Sequence, residues 1–338
     1  MRFLKRAAAA ALALAVMCSL TSCGGKKDEK TDGPLKKITF VLDWAPNTNH
    51  TGLYTAMEKG YFKDAGLEVE VVQPPEDGAE VLVASGRAQF GVSFQDYIAP
   101  ALIGEDPLGI TAVAAVLQHN TSGIVSRKGE GMDTPKGLEG HKYATWELPV
   151  EQATIRRVME ADGGDFSKVE LIPSTVTDEV SALESKSVDA IWIFYGWAGI
   201  ACEQAGLDTD YFAFADIDSV FDFYTPVIIA NNDFLKDDPE TAKAFVAALS
   251  KGYRDAAADP EASAEILMKY APELKDSADL VKASQKYLSK EYIADAARWG
   301  EFDPERWGGF FSWLNENGLL EEEVDPKAGF TNDFLPKS

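Results

Sequence analysis

Short β-branched runs alternate with amphipathic helical stretches from Lys36 onward, twice over, before the chain turns mostly helical. This alternation constrains the fold most, because strands separated by helix-length connections pair in parallel with helices packed on the sheet faces. The first strand set is expected at residues 38–42, 67–72, 89–92 and 111–117. The second follows the glycine-bearing turn at 128–131 and is expected at 141–144, 169–172, 189–193 and 227–230. Crossover helices are expected at 49–59, 80–85, 150–161 and 179–185, with Gly60 as a C-terminal stop for the first. Helices at 239–255, 260–270, 278–288 and 304–314 fill the C-terminal third. The expected fold is α/β, with two lobes hinged across a cleft and a helical C-terminal part. Lobe one takes residues 36–122 plus 228–338, and lobe two takes 123–227. Two crossings between lobes make a hinge that closes on a ligand. A single doubly wound domain is the competing arrangement, and the two strand sets and helical tail count against it.

The N-terminus reads as a targeting segment. Arg2, Lys5 and Arg6 precede the apolar run 7–17, which is too short to span a bilayer, and small residues follow. Residues 1–22 are therefore expected to be a secretory signal. Leu20-Thr21-Ser22-Cys23 resembles the bacterial lipobox, which implies acylation of Cys23 as the mature N-terminus. An ordinary cleaved signal that contains a cysteine is the alternative. Residues 23–35 are polar and charged, as a flexible tether would be. With Cys18 removed and Cys23 lipidated, Cys202 stands alone, so no disulfide is expected and the core must hold the fold. Cys202 reads as a small buried apolar residue rather than a nucleophile. The formal charge of −23 repels nucleic acid and gives no steering to phosphate- or sulfonate-bearing ligands, so it favours a neutral or cationic solute.

Ligands of open α/β sheets sit beyond the carboxyl ends of the strands. The expected exits are rich in aromatic rings set beside amides and carboxylates: Asp43-Trp44-Ala45-Pro46-Asn47, Phe94-Gln95-Asp96-Tyr97, Gln118-His119-Asn120, Trp146-Glu147, Tyr195-Gly196-Trp197 and Phe223-Tyr224. Rings stack on the faces of a flat heteroaromatic solute while amides and acids pair with its edge nitrogens. The candidate ligand contacts are Asp43, Trp44, Asn47, Phe94, Gln95, Gln118, Trp146, Glu147, Tyr195, Trp197, Phe223 and Tyr224. Trp44, Trp146 and Tyr224 lead among the rings, and Asp43 and Glu147 among the charges. For each ring the competing role is core packing. For Asp43 and Glu147 it is helix capping, and capping is the role expected of Asp96.

Catalytic signatures are missing. The three histidines form no HExxH and no carboxylate–histidine metal spacing, and no GxxxxGK[ST], GxGxxG or GxSxG loop occurs. His50, His119 and His141 read as structural.

Several segments are nonetheless recognisable. Asp43-Trp44-Ala45-Pro46-Asn47-Thr48-Asn49-His50, Lys59-Gly60-Tyr61-Phe62, Ser85-Gly86-Arg87-Ala88-Gln89-Phe90-Gly91 and Asp233-Phe234-Leu235 resemble the thiamine-pyrimidine group of the periplasmic binding protein superfamily. That group includes bacterial binders for formyl-aminopyrimidine salvage and the fungal thiamine-pyrimidine synthases. The likeness runs from about residue 38 to 255. The G-Y-F and S-G-x-x-x-F-G pieces are shared with alkylsulfonate and nitrate binders, whereas D-W-x-P-N-x-x-H is more specific. The resemblance implies a type II two-lobe fold, closure around a pyrimidine, and delivery to an ABC permease and its ATPase by a monomer outside the cytoplasm. It also implies ligand contacts near Trp44, Glu147 and Tyr224. The synthase branch carries a pyridoxal-phosphate lysine, a sacrificial histidine and a cysteine-rich run. Here residues 93–97 supply neither lysine nor histidine, and Val220-Phe221-Asp222-Phe223 replaces the cysteines. The expectation is a binder, with no cofactor and no enzymatic activity. A binder of another solute, such as a riboflavin-like ring, an alkylsulfonate or taurine, is the alternative, and a synthase is the remaining one. Arg87 and Arg127 are candidates to hold an anion, and neither sits at an expected strand exit.

Overall fold

The computed structural model describes residues 34–337. The expected signal 1–22, Cys23 and nearly all of the tether lie outside the described residues. The described residues form one compact unit.

Ten strands build two five-stranded sheets. The first contains β1 (Lys36–Val41), β2 (Leu67–Val72), β3 (Phe90–Ser93), β4 (Ile110–Ala115) and β10 (Val227–Asn231), in the order β2-β1-β3-β10-β4. The second contains β5 (Ser122–Arg127), β6 (Lys142–Thr145), β7 (Glu170–Pro173), β8 (Ala190–Phe194) and β9 (Thr209–Ala213), in the order β7-β6-β8-β5-β9. The chain crosses from the first sheet to the second between β4 and β5, and returns between β9 and β10.

The sheets are mixed rather than parallel. β1 pairs parallel with β2 and β3, and β6 with β7 and β8, whereas β10 runs antiparallel to β3 and β4, and β5 antiparallel to β8 and β9. β5 and β9 were not expected from the sequence. β5 is buried along its whole length, but its Ser-Gly-Ile-Val-Ser-Arg run lacks the β-branched density that marks strands. Gly123 is required there, because a Cβ would lie 2.1 Å from the Phe212 carbonyl of β9. The register puts the end of β4 opposite the start of β10, and the start of β5 opposite the end of β8. Both crossings therefore emerge at the edge where the parallel strands present their carboxyl ends.

Three helices of the C-terminal part begin with the same signature, an aspartate followed by proline. Asp238, Asp259 and Asp303 accept backbone N–H bonds at the starts of Pro239–Ala258, Pro260–Tyr270 and Pro304–Glu316. Helix Pro239–Ala258 lays Phe245 flat on Phe90 of β3 at 4.0 Å between centroids. It also crosses helix Thr51–Glu58 so closely that a Cβ on Gly252 would meet the Gly52 carbonyl at 2.1 Å. Helix Pro304–Glu316 stacks Phe310 on Phe223 at 4.1 Å and sets Trp313 edge-on to Phe221, which fastens the return crossing. Each such ring taken from water contributes about 1.5–3 kcal/mol. Helix Ala278–Glu291 touches the neighbourhoods of both sheets. The Ser284 hydroxyl lies 2.6 Å from the Thr48 hydroxyl and donates to the Gly196 carbonyl.

Candidate ligand-binding site

A cavity of about 160 Å³ opens at the carboxyl edge of the second sheet. Its walls include Trp146 after β6, Ser174 and Val176 after β7, Trp192 and Phe194 on β8, Trp197 in the turn that follows, and Glu179. Three indoles and a phenyl ring thus surround one carboxylate. Trp146 and Trp192 lie 5.7 Å apart, and Trp192 rests on Phe214 at 4.3 Å. Trp146 and Phe194 are each 40 % exposed, so their faces are free to receive a planar guest. Trp197 is carried by a wide helical turn, Tyr195–Gly199, of the kind that recurs at functional sites. Burial pushes the Glu179 carboxyl above its ordinary range, with Asp178 adding to the rise and the Glu179 backbone N–H opposing it.

The Trp146 turn is held from beneath by Glu151. This carboxylate, buried on the first turn of helix Pro149–Ala161, accepts from the Tyr143 hydroxyl at 2.6 Å and the Thr145 hydroxyl at 3.1 Å. It also accepts from the backbone N–H groups of Trp146 and Leu148, at 3.1 and 3.2 Å. Glu147 sits between them with φ 61°, a left-handed conformation uncommon for a side chain other than Gly, Asn or Asp. Its own side chain is exposed and outside the cavity wall.

On the first sheet, the Asp43-to-His50 segment is a closed clasp. His50 is buried, and its Nδ1 accepts the Asn47 N–H at 3.1 Å, so Nε2 carries the proton donated to Asp43 at 2.7 Å. Asn47 accepts from the Asn49 N–H with its side chain and caps the following turn. Asp43 and Asn47 are thus committed to shaping the loop. Trp44 is pushed out by it, 66 % exposed, with no aromatic ring stacked on it among the described residues.

Four expected contacts lie inside the protein instead. Tyr224 is 1 % exposed and its hydroxyl accepts from the Asp303 N–H and bonds Arg306, whose guanidinium also covers the ring at 4.1 Å. Phe223 is buried against Phe310. Gln95 bonds the Trp307 carbonyl at 2.8 Å and the Tyr224 N–H at 2.9 Å. Gln118 bonds the Glu301 carbonyl at 3.1 Å. The C-terminal helix covers the return crossing, so these side chains offer no surface to a solute. Tyr195 turns away from the cavity into a cluster with Tyr211 and Tyr287, with its hydroxyl on Glu203. Phe94 is half-buried, edge-on to the exposed Tyr97 at 5.3 Å. Asp96 is not the cap of helix Gln95–Ala101, a position held by Phe94, but lies in its first turn. Burial raises its carboxyl to about 6, against the pull of its own and the Tyr97 N–H, and with help from Glu80.

Of the twelve expected contacts, Trp146 and Trp197 line the cavity. Trp192, Ser174, Val176, Glu179 and the supporting Glu151 were not singled out by the sequence. The exit after β7 carries no aromatic ring, so a search for aromatic exits passes over it, and Trp192 precedes its exit by falling within a strand.

Over residues 47–263 the chain matches the family described as NMT1/THI5 like. The formylaminopyrimidine-binding protein of Halalkalibacterium halodurans is 26% identical over 305 residues, 89% of this chain and 91% of that protein. A 4-amino-5-hydroxymethyl-2-methylpyrimidine phosphate synthase of Saccharomyces cerevisiae is 26% identical over 267 residues, 71% of this chain and 73% of the enzyme. Among solved structures, the periplasmic aliphatic sulphonate binding protein SsuA from Escherichia coli superposes with a TM-score of 0.66 at 15% identity, covering 86% of this chain and 90% of its own. That likeness gives the architecture, the α/β fold of periplasmic binding proteins. The family match spans β2 to β10 and takes in every wall of the cavity, and by it the chain belongs to the NMT1/THI5-like family.

Proposed function

We propose that the protein is an extracytoplasmic solute-binding protein, anchored through acylated Cys23, that delivers a pyrimidine precursor of thiamine to an ABC permease and its ATPase. The precursor is of the formyl-aminopyrimidine or hydroxymethylpyrimidine type. The observation that carries this is the indole-walled cavity at the carboxyl edge of the second sheet. Its volume of about 160 Å³ is small beside the ~300–1,000 Å³ of sites for drug-sized ligands, so it suits one substituted ring better than a fused riboflavin-like system. The two sheets are taken as the cores of two lobes, 36–122 plus 228–338 and 123–227, and closure about the crossings brings Trp44 toward the occupied cavity. The relative from Halalkalibacterium halodurans supports the pyrimidine by its name.

Binding is favoured over synthesis because the exit after β3 holds Ser93, Phe94, Gln95, Asp96 and Tyr97, with no lysine to take pyridoxal phosphate and no histidine to consume. A sulfonate is disfavoured because Arg127 ends β5 at the opposite edge of its sheet, paired with Glu130 and Asp189, and Arg87 precedes β3 at the opposite edge of the other. Calorimetry on the purified protein tests this. Formyl-aminopyrimidine or hydroxymethylpyrimidine should bind, while riboflavin, taurine and an alkanesulfonate should not. Binding of one of the latter with silence from both pyrimidines would overturn the assignment.

A further inference from the structure

We infer that Glu179 selects the solute by charge, so that the cavity takes a planar heterocycle bearing a positive charge or an edge of N–H donors and turns away anions of similar size. This rests on the solute-binding reading and adds the chemical class of the guest. Glu179 lines the cavity together with Trp146, Trp192, Trp197 and Phe194, and among the described residues no cation pairs with its carboxylate and no side chain donates to it. Glu151, five positions along the chain from Trp146, is the contrast, since hydroxyls and backbone N–H groups converge on it from several directions. One acid is satisfied from several directions, and the other has only its own backbone N–H.

The surroundings make an anion a poor candidate for that role. Every charged side chain in the segments that leave the parallel strands, 42–47, 73–80, 94–97, 146–149, 174–179 and 195–199, is acidic. The ring faces of the walls present negative potential, which attracts a cation placed over them. The amino-terminal end of helix Glu179–Glu184 is already occupied by Asp178, which accepts from the Ser181 N–H at 3.0 Å and its hydroxyl at 2.6 Å. Arg306, which reaches the return crossing from helix Pro304–Glu316, is held by Asp222 at 3.0 Å. A half-buried carboxylate raised by desolvation regains its charge most cheaply when a cation or a donor edge arrives with the guest.

The test is calorimetry with hydroxymethylpyrimidine, N-methylpyridinium as a fixed single-ring cation, and taurine, on the wild-type protein and on Glu179→Gln and Glu179→Asp. Thermal melts of both variants establish that they fold. Wild-type protein should bind the two heterocycles and not taurine. Glu179→Gln should weaken both by about tenfold or more, a change of ~1.4 kcal/mol. Glu179→Asp, which keeps the charge, should lose less. Unchanged heterocycle binding by a folded Glu179→Gln protein overturns the role of Glu179 and leaves the solute-binding reading intact. Wild-type protein that binds taurine overturns the charge selection and leaves the solute-binding reading intact, whereas binding of none of the three overturns both.

Discussion

Glu179 lines the cavity and Glu151 braces the Trp146 turn behind it, and their neighbours give the same functional group opposite roles. Glu151 receives donors from β6 and from the turn it braces, so removing it strands the buried Tyr143 hydroxyl and two half-buried backbone N–H groups. Glu151→Ala is expected to lower stability by on the order of 3 kcal/mol, read as a fall in urea midpoint at constant slope, and to loosen Trp146 with it. Asp43 shows the same logic on the other sheet. Its place beside Trp44 reads as a ligand contact in sequence, but His50, seven positions on, folds back and takes the carboxylate. Adjacency along the chain is visible to a reader of sequence, whereas the partner that returns through space is not.

At the level of elements, the two crossings are stitched to helix Pro304–Glu316 by a charged cluster. His119 lies 2.8 Å from Asp222 and 3.0 Å from Asp295, and Arg306 reaches Asp222 at 3.0 Å. The hydrogen bond to Asp222 raises the His119 imidazole above its ordinary value, with burial opposing. Burial pushes the Asp222 carboxyl upward but is outweighed by His119, the Asn120 N–H and Arg306, which leave it below the usual range. A raised folded value means that the His119 contribution is complete below about pH 6.5 and lost as pH rises through it. A lowered one means that the Asp222 contribution is complete above about pH 4 and lost as pH falls. The cluster should therefore stabilise most between roughly pH 4.5 and 6.5. Denaturation of wild type and His119→Gln across pH 5–8 should show a difference that shrinks toward the alkaline end. A constant difference would remove the imidazolium from the account. This cluster gathers residues from distant stretches; the sequence marks His119 as structural, and Gln118 and Tyr224 beside it as ligand contacts, without showing that they meet.

For the whole molecule, the expectation is a change of shape on binding. Trp44 stands on the first sheet's loop and the cavity on the second sheet, and the crossings between them are two. Small-angle scattering should show a smaller radius of gyration when hydroxymethylpyrimidine is added. Trp44→Ala should leave the ligand-free radius unchanged and weaken binding by ~1–3 kcal/mol, the range measured for other stacked rings. If the radius stays constant while the pyrimidine binds with full heat, Trp44 is not the second face of the site.

The alternation of strand and helix and the helical tail, with helix starts at 239, 260 and 304, were legible in the amino-acid order alone, because propensity acts within a few residues. The family likeness was legible too, carried by the Asp43-to-His50 segment. Tertiary structure decided the rest. It recruited β5 as an antiparallel strand by burial rather than by its own composition and paired β9 with it, enclosed Tyr224, Phe223, Gln95 and Gln118 beneath the C-terminal helix, and set Trp192 and Glu179 into one cavity. Whether a ring or an acid faces water, a partner or a guest depends on what the chain brings back to it from far along its length, and short-range pattern holds no record of that return.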